Sequence, residues 1–490
     1  PDAQASPPDL PALAKSSRWL ELLAAASQKI AKDDSDARAV VYQLKAMRML
    51  GRTDAALTQA NQALARFPGD PGLLLERAWI QAFKGNWTLA LADAQAASAS
   101  KPEPDEALMV QGIAYRELRD WDHALTMFTR ASQLRPQDPA PVLNCGRVYV
   151  EKGLFDDAVT VLNRCISLSP DGPEAFVLRG RAYAGKGKLA EAVHDFNRAV
   201  KLNPLMAAAY IGRGDVLARS GQWEAAAKDA YTAISLGSHD TQPYLTACRA
   251  SVALGDWEAL SGYAAAGHAL VPDNVEFLRY AGRAYREIGD SAKALAAYDR
   301  AVRIAPRDAN LLLERATTSM MLRRYDKAAD DCSASLALNS SAMTYALRAF
   351  ARFKTGALDS AYEDATNALT LDPKTATALL VRANINLARG KPSEALKESS
   401  QALRIDPTLA WAYVTQGSAL LDSGMKEEAL RVLDQALDLA PDDGEAHLAR
   451  GRALASLGRT AEARKDLEKA TSLDATLTRE ASVELARLKP

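Results

Sequence analysis

A period of 34 residues decides most of what this chain can fold into. One phrase recurs as GNWTLA from Gly85, RDWDHA from Arg119, GQWEAA from Gly221 and GDWEAL from Gly255. A closing phrase follows it: ALARFP ending at Pro68, ASQLRP at Pro136, AVKLNP at Pro204, AVRIAP at Pro306, ALRIDP at Pro407 and ALDLAP at Pro441. Thirteen copies tile residues 37–477, the ninth being one residue short. Self-similarity at a period of roughly 20–50 residues marks an array in which each copy buries its apolar face only against its neighbours. The length of 490 residues agrees with an array, because a single hydrophobic core stops growing near ~250–300 residues.

The fixed positions have physical reasons. Position 8 is glycine at Gly112, Gly146, Gly180, Gly214, Gly282, Gly417 and Gly451, and small in four more repeats. Position 20 is alanine in twelve of thirteen repeats, the exception being Leu260. Small residues there and at position 27 let two helices approach closely. Position 32 is proline in ten repeats, with Ser238, Ser340 and Ala475 departing. Proline cannot donate to the preceding turn, so it ends the second helix.

Period and residues together resemble the tetratricopeptide repeat (TPR) family, over about nine-tenths of the chain. The resemblance implies an all-α fold, a right-handed α-solenoid superhelix of helix–turn–helix units with a concave inner face. Expected boundaries are a linker and capping helix at 1–36, repeats one to six at 37–240, a degenerate repeat seven at 241–274, repeats eight to thirteen at 275–477, and a capping helix at 478–490. Repeat seven departs at Leu260 and Gly267 and places Gly262 inside its second helix. Flexing or a change of curvature is expected near 238–268 and 338–342.

One pair of positions varies in step. Position 7 is arginine in seven repeats: Arg77, Arg179, Arg213, Arg315, Arg348, Arg382 and Arg450. Position 23 is acidic in those same repeats: Asp93, Asp195, Asp229, Asp331, Asp364, Glu398 and Asp466. The other six repeats have neither. Guanidinium and carboxylate match bidentately, so each pair is expected to join the two helices of its own repeat. The pairing also disposes of an adhesion-like Arg213-Gly214-Asp215, which falls mid-helix.

Enzyme signals fail on inspection. GRAYAGKG from Gly180 to Gly187 nearly spells a phosphate loop, but both end glycines fall on repeat positions and no strand precedes them. Five histidines occupy unrelated positions, and Cys145, Cys165, Cys248 and Cys332 lack metal spacing. Cys145 and Cys165 read as small buried thiols, a disulfide being the minority reading. No catalytic, cofactor or metal site is expected. Sixty basic against 61 acidic residues argue against a nucleic-acid binder. No apolar run is long enough to span a membrane.

The resemblance also implies which side chains line the groove: positions 2, 5, 6, 9, 12 and 13 of the first helix. The family's carboxylate clamp is not supplied by any three successive repeats. The groove instead offers position-9 arginines Arg147, Arg181, Arg249, Arg283 and Arg452, joined by Arg279. Trp79, Trp411, Phe350 and Phe353 face it as well. Arginine and aromatic side chains are typical interface anchors. The expected function is a non-enzymatic scaffold for protein or peptide segments of acidic character, without nucleic acid or membrane insertion. Alternatives are a substrate-recruiting or regulatory arm of a larger polypeptide, since the sequence opens at Pro1 and not Met, and a self-assembling homo-oligomer. Either a cytoplasmic or an exported setting fits.

Overall fold

The computed structural model describes residues 9–99 and 104–488. Among these the chain is helical throughout, in tandem antiparallel pairs. Each repeat contributes a helix A and a helix B, as in Pro139–Lys152 and Phe155–Leu168 of repeat four. The chain divides into two compact units, residues 1–254 and 255–490. They are called the N-terminal and C-terminal halves below.

The local signals act as their chemistry requires. Asp70, Asp138, Asp308 and Asp443 stand at helix A N-caps and accept from backbone N–H groups of the first turn. Pro71, Pro139 and Pro173 open their helices at the position where a missing N–H costs nothing. Helix B stops one residue before an extended residue that precedes proline, such as Phe67 or Asn203. Repeat nine stops the same way without proline, through Asn339 at φ −151°.

The turn from helix A to helix B needs a left-handed residue. Glycine supplies it at Gly153 (φ 75°) and Gly187 (φ 74°). In repeats three and nine Arg119 (φ 61°) and Arg323 (φ 55°) adopt the same conformation despite their side chains.

The core is a file of small residues. Ala56, Ala90, Ala124, Ala158 and Ala192 at position 20 are fully buried, and so is the exceptional Leu260. The position-8 glycines are required by what faces them. A Cβ at Gly146 would lie 2.5 Å from Leu162, and one at Gly112 2.5 Å from Phe128. Position 24 supplies both of those larger side chains. Repeat one inverts the sizes, with Leu44 at position 8 and Ala60 at position 24, both fully buried. Gly267 in repeat seven has the same origin. A Cβ there would lie 2.2 Å from the ring of Phe277, itself fully buried.

The ends are closed by helices. Leu10–Lys15 and Trp19–Lys32 lay Leu10, Leu13 and Leu22 against Ala39 and Ala46 of repeat one. The proline-rich opening read as linker is therefore helical from Leu10, while residues 1–8 lie outside the described residues. At the other end a short 3-10 turn, Ala475–Leu477, leads into Thr478–Arg487, and Ala481 packs on Leu448 and Leu467.

Candidate partner-binding groove

The groove is held in shape by the arginine–carboxylate pairs, all seven of which form. Arg179 donates from Nε and Nη2 to the two oxygens of Asp195, both at 2.7 Å. Arg77–Asp93, Arg213–Asp229, Arg315–Asp331, Arg348–Asp364 and Arg450–Asp466 repeat that two-point contact. Arg382 meets Glu398 at a single point, 2.6 Å, and Asn386 takes the other carboxylate oxygen.

A further partner escaped the sequence reading. The remaining guanidinium nitrogen reaches back to position 25 of the preceding repeat: Arg179 to Asn163 at 2.6 Å, Arg213 to Asn197 at 2.6 Å, Arg315 to Asp299 at 3.0 Å and Arg450 to Asp434 at 2.9 Å. Arg77 and Arg348 do the same to Asn61 and Ser333, so each of these six arginines joins three elements, its own two helices and the helix B before it. Repeats one and twelve, which lack the arginine, keep a neutral version. Gln43 bonds both Gln59 and Ser27, and Gln416 bonds Ser400. The signal was in the sequence, as asparagine or aspartate sixteen residues before the arginine and as Ser333 fifteen before Arg348, across the short repeat nine.

In the N-terminal half the predicted groove residues separate into paired and unpaired. Arg249 lies 3.4 Å from Asp215, and Arg147 lies 3.5 Å from Glu174. The Nε of Arg147 is buried without a partner. Arg181 makes no hydrogen bond or ion pair among the described residues, and Arg147 beside it adds like charge. Burial comes first and, with Arg147, pulls the Arg181 pKa below the usual arginine value, against the opposing pull of the Asp240 and Glu151 carboxylates. The accessible area nevertheless leaves Arg181 exposed. The two facts agree if the guanidinium is open to solvent yet hemmed in by the concave wall. Beside it is a pocket of about 430 Å³ with Phe196, Ile211 and Val216 as apolar lining and Asp215 and Gln242 at its border.

Further along this half, Trp79 sits under Arg48, whose guanidinium is 5.5 Å from the Trp79 ring and 5.5 Å from that of Phe83. Arg48 is itself buried against Glu76 at 3.0 Å. Burial pushes the Glu76 carboxyl up, against the pull of Arg48. Phe83 and Met49 stay open, 61% and 43% exposed, so an apolar patch surrounds Trp79.

In the C-terminal half most predicted arginines are already engaged. Arg279 grips Glu314 of the next repeat, and Arg452 bonds Glu480 and Glu484 of the final helix. Arg283 stacks over Trp257 at 5.8 Å. The predicted aromatics do meet: Phe350 contacts Trp411 edge-on at 5.4 Å and Tyr325 at 6.2 Å, with Phe353 in the same cluster. A concavity of about 680 Å³ surrounds the Arg450–Asp466 pair in the last repeats. Its lining includes the structural ion pairs Arg450–Asp466 and Arg450–Asp434 and the surface pair Arg459–Glu462.

The four cysteines are buried and free, and burial pushes Cys145 and Cys165 up to about 11. Among the described residues no three His, Cys, Asp or Glu side chains group as a metal would need, and no helix is long and apolar enough to cross a membrane.

The chain belongs to the tetratricopeptide repeat family. One family model of that description matches residues 46–104, 75–139, 177–240, 249–309, 281–342, 347–410 and 414–476, and a second matches 115–182. Among solved structures, the chain is similar to the Cut9–Hcn1 hetero-tetramer of APC/C at 14% identity and TM-score 0.45, covering 93% of this chain and 97% of that one. It is similar to yeast Tom70 at 16% identity and TM-score 0.35, covering 78% and 96%. MamA matches at 21% identity and TM-score 0.30, covering 35% and 94%. No curated protein matches the chain.

Proposed function

We propose that this chain is a non-enzymatic scaffold, and that the concave face of repeats four to seven holds an extended or helical protein segment in which acidic and apolar residues alternate. The observation that carries the reading is Arg181, a guanidinium that makes no hydrogen bond or ion pair among the described residues, with Asp240 and Glu151 acting on it only at longer range, beside an apolar-lined pocket. An unpaired, partly desolvated charge is costly unless a counter-charge visits it. Arg147, with its buried unpartnered Nε, extends the positive strip. The Phe196, Ile211 and Val216 lining suits the apolar residues between the acids. The whole chain has a net charge of -1, so the attraction is a local field.

The test is fluorescence anisotropy with two labelled peptides, one alternating Glu and Leu, the other alternating Lys and Leu. The acidic peptide should bind, and more weakly as salt rises, because exposed charges are screened over ~8–10 Å. Arg147→Glu with Arg181→Glu should weaken it by about tenfold or more, roughly 1.4 kcal/mol, at unchanged helix content. Equal binding of the two peptides, or an indifferent double variant, would place any partner elsewhere on the repeats.

A further inference from the structure

Two ion pairs in the C-terminal half break the rule by which solenoids are built. Repeats in such arrays touch only their neighbours. Arg323, in the A–B turn of repeat nine, nevertheless reaches Asp474 at the end of repeat thirteen, at 3.0 Å. Lys354, at the end of helix A in repeat ten, reaches Glu445, at the start of helix A in repeat thirteen, also at 3.0 Å. The A–B turns form one edge of such an array, and the junctions between repeats form the other. Both pairs therefore join opposite edges across three or four repeats.

We propose that these pairs are a latch that holds the C-terminal half wound shut, and that Glu445 occupies the place on Lys354 that an acidic residue of a partner would take.

Three further observations support it. Arg323 has φ 55° where eleven of the thirteen repeats put a left-handed glycine, so its backbone is strained and its side chain is what the position gains. Asp474 accepts from the Thr476 backbone through Oδ1, at 2.9 Å, which leaves Oδ2 for Arg323. Lys354 also stands 5.8 Å above the ring of Phe350, which in turn packs on Trp411. A cation beside apolar side chains, facing a carboxylate, is the recognition chemistry proposed for the N-terminal half, here satisfied from within the same chain. Both pairs are partly exposed. Such pairs are individually weak and screened by salt, as a latch that opens must be.

The closure does not rest on the function proposed above, but the self-occupancy does, so each gets its own readout. For closure, the full chain carrying Thr355→Cys and Asp442→Cys, exposed positions beside the Lys354–Glu445 pair that leave both ion pairs intact, is treated with a bis-maleimide; the native cysteines are buried. Intramolecular cross-linking should be fast at low salt, and several-fold slower at high salt or when Asp474→Asn is added. No cross-link, or a rate indifferent to both salt and Asp474→Asn, overturns the latch. For self-occupancy, Glu445→Gln with Asp474→Asn is placed in a chain already carrying Arg147→Glu and Arg181→Glu, which silences the N-terminal groove. Anisotropy of the labelled Glu/Leu peptide should then show affinity several-fold above the Arg147→Glu, Arg181→Glu parent. Affinity no higher than that parent overturns the self-occupancy. A failure of the first proposal alone would show instead as wild-type binding untouched by the N-terminal charge reversals.

Discussion

At the residue scale, two glycines of repeat seven look alike in sequence and differ in what surrounds them. Both break the alanine-rich pattern of helix B, and sequence reasoning treats both as weak points. Gly262 has open space where a Cβ would go, whereas Gly267 has the Phe277 ring at 2.2 Å. Gly262→Ala should therefore stabilise by about 1 kcal/mol, the ordinary helix-propensity gain. Gly267→Ala should destabilise by about 1–3 kcal/mol through overpacking. Chemical denaturation of both variants checks the contrast, and a loss in both would mean that the backbone of repeat seven needs its glycines. The left-handed arginines form a second such pair. Arg119→Gly removes strain of order 1–2 kcal/mol and no recorded contact, so it should raise stability. Arg323→Gly removes similar strain together with the Asp474 ion pair, so its net gain should be smaller, and the difference should shrink at high salt.

At the scale of elements, the covarying arginines and acids were legible because the residue types rise and fall together, and contact within the repeat is what the structure shows. Their third partner at position 25 was harder to read. Its residue type changes from Asn61 to Asp299 to Ser333, and only geometry shows that one guanidinium nitrogen is left over for it. A second ladder was missed for the same reason. Lys84, Lys152, Lys186 and Arg389 at position 14 reach Asp54, Asp122, Asp156 and Asp359 at position 18 of the repeat before. Those pairs are exposed at the acid and worth little each. The arginine staple is different, because the Asp195 side chain is only 2% exposed. Removing Arg179 would strand that carboxylate, so Arg179→Ala should cost about 3–5 kcal/mol. Asn163→Ala should cost only about 1 kcal/mol, one hydrogen bond to a charged group that keeps its main partner. Exchanging the pair, Asp at 179 with Arg at 195, should recover part of the larger loss. An exchange no better than the single variant would show that the third partner dictates the direction.

The groove was less legible than the fold. Position within the repeat gives only the expectation of which arginines face inward, while pairing decides which of them are available, and pairing depends on neighbours 27 to 35 residues away. Arg279 and Arg452 are taken by Glu314 and Glu480, while Arg181 has no such neighbour. Nothing in the sequence period announces Arg323–Asp474 either, since those residues are 151 apart.

At the scale of the whole molecule, stability in a solenoid is nearly a sum over repeats and their interfaces, so it need not be uniform. The boundary between the two compact units falls between helix Gln242–Leu254 and helix Trp257–Leu270, inside repeat seven. That repeat also lacks the arginine staple and enters without its proline at Ser238. We propose that it is where the array opens first. Amide exchange within 241–274 should run faster than within repeat five, where the Arg179 staple and the Phe196 core are intact; equal protection would count against the proposal. The C-terminal half adds a longer-range term through its latch, and its pH dependence follows from Asp474. The bonds from Thr476 first, and then Arg323, hold that carboxyl down at about 2 from an ordinary 3.8. A depressed acid contributes stability that is fully present above its unfolded value and lost as pH falls through the folded one. Closure should therefore be indifferent to pH between about 5 and 8, weaken only as pH drops from near 4 toward 2, and respond to salt throughout. The distance between spin labels attached beforehand, at neutral pH, to Thr355→Cys and Asp442→Cys and followed across that pH range would check it. A loss of closure near pH 6 would point to a histidine and away from Asp474 as the group that holds the half shut.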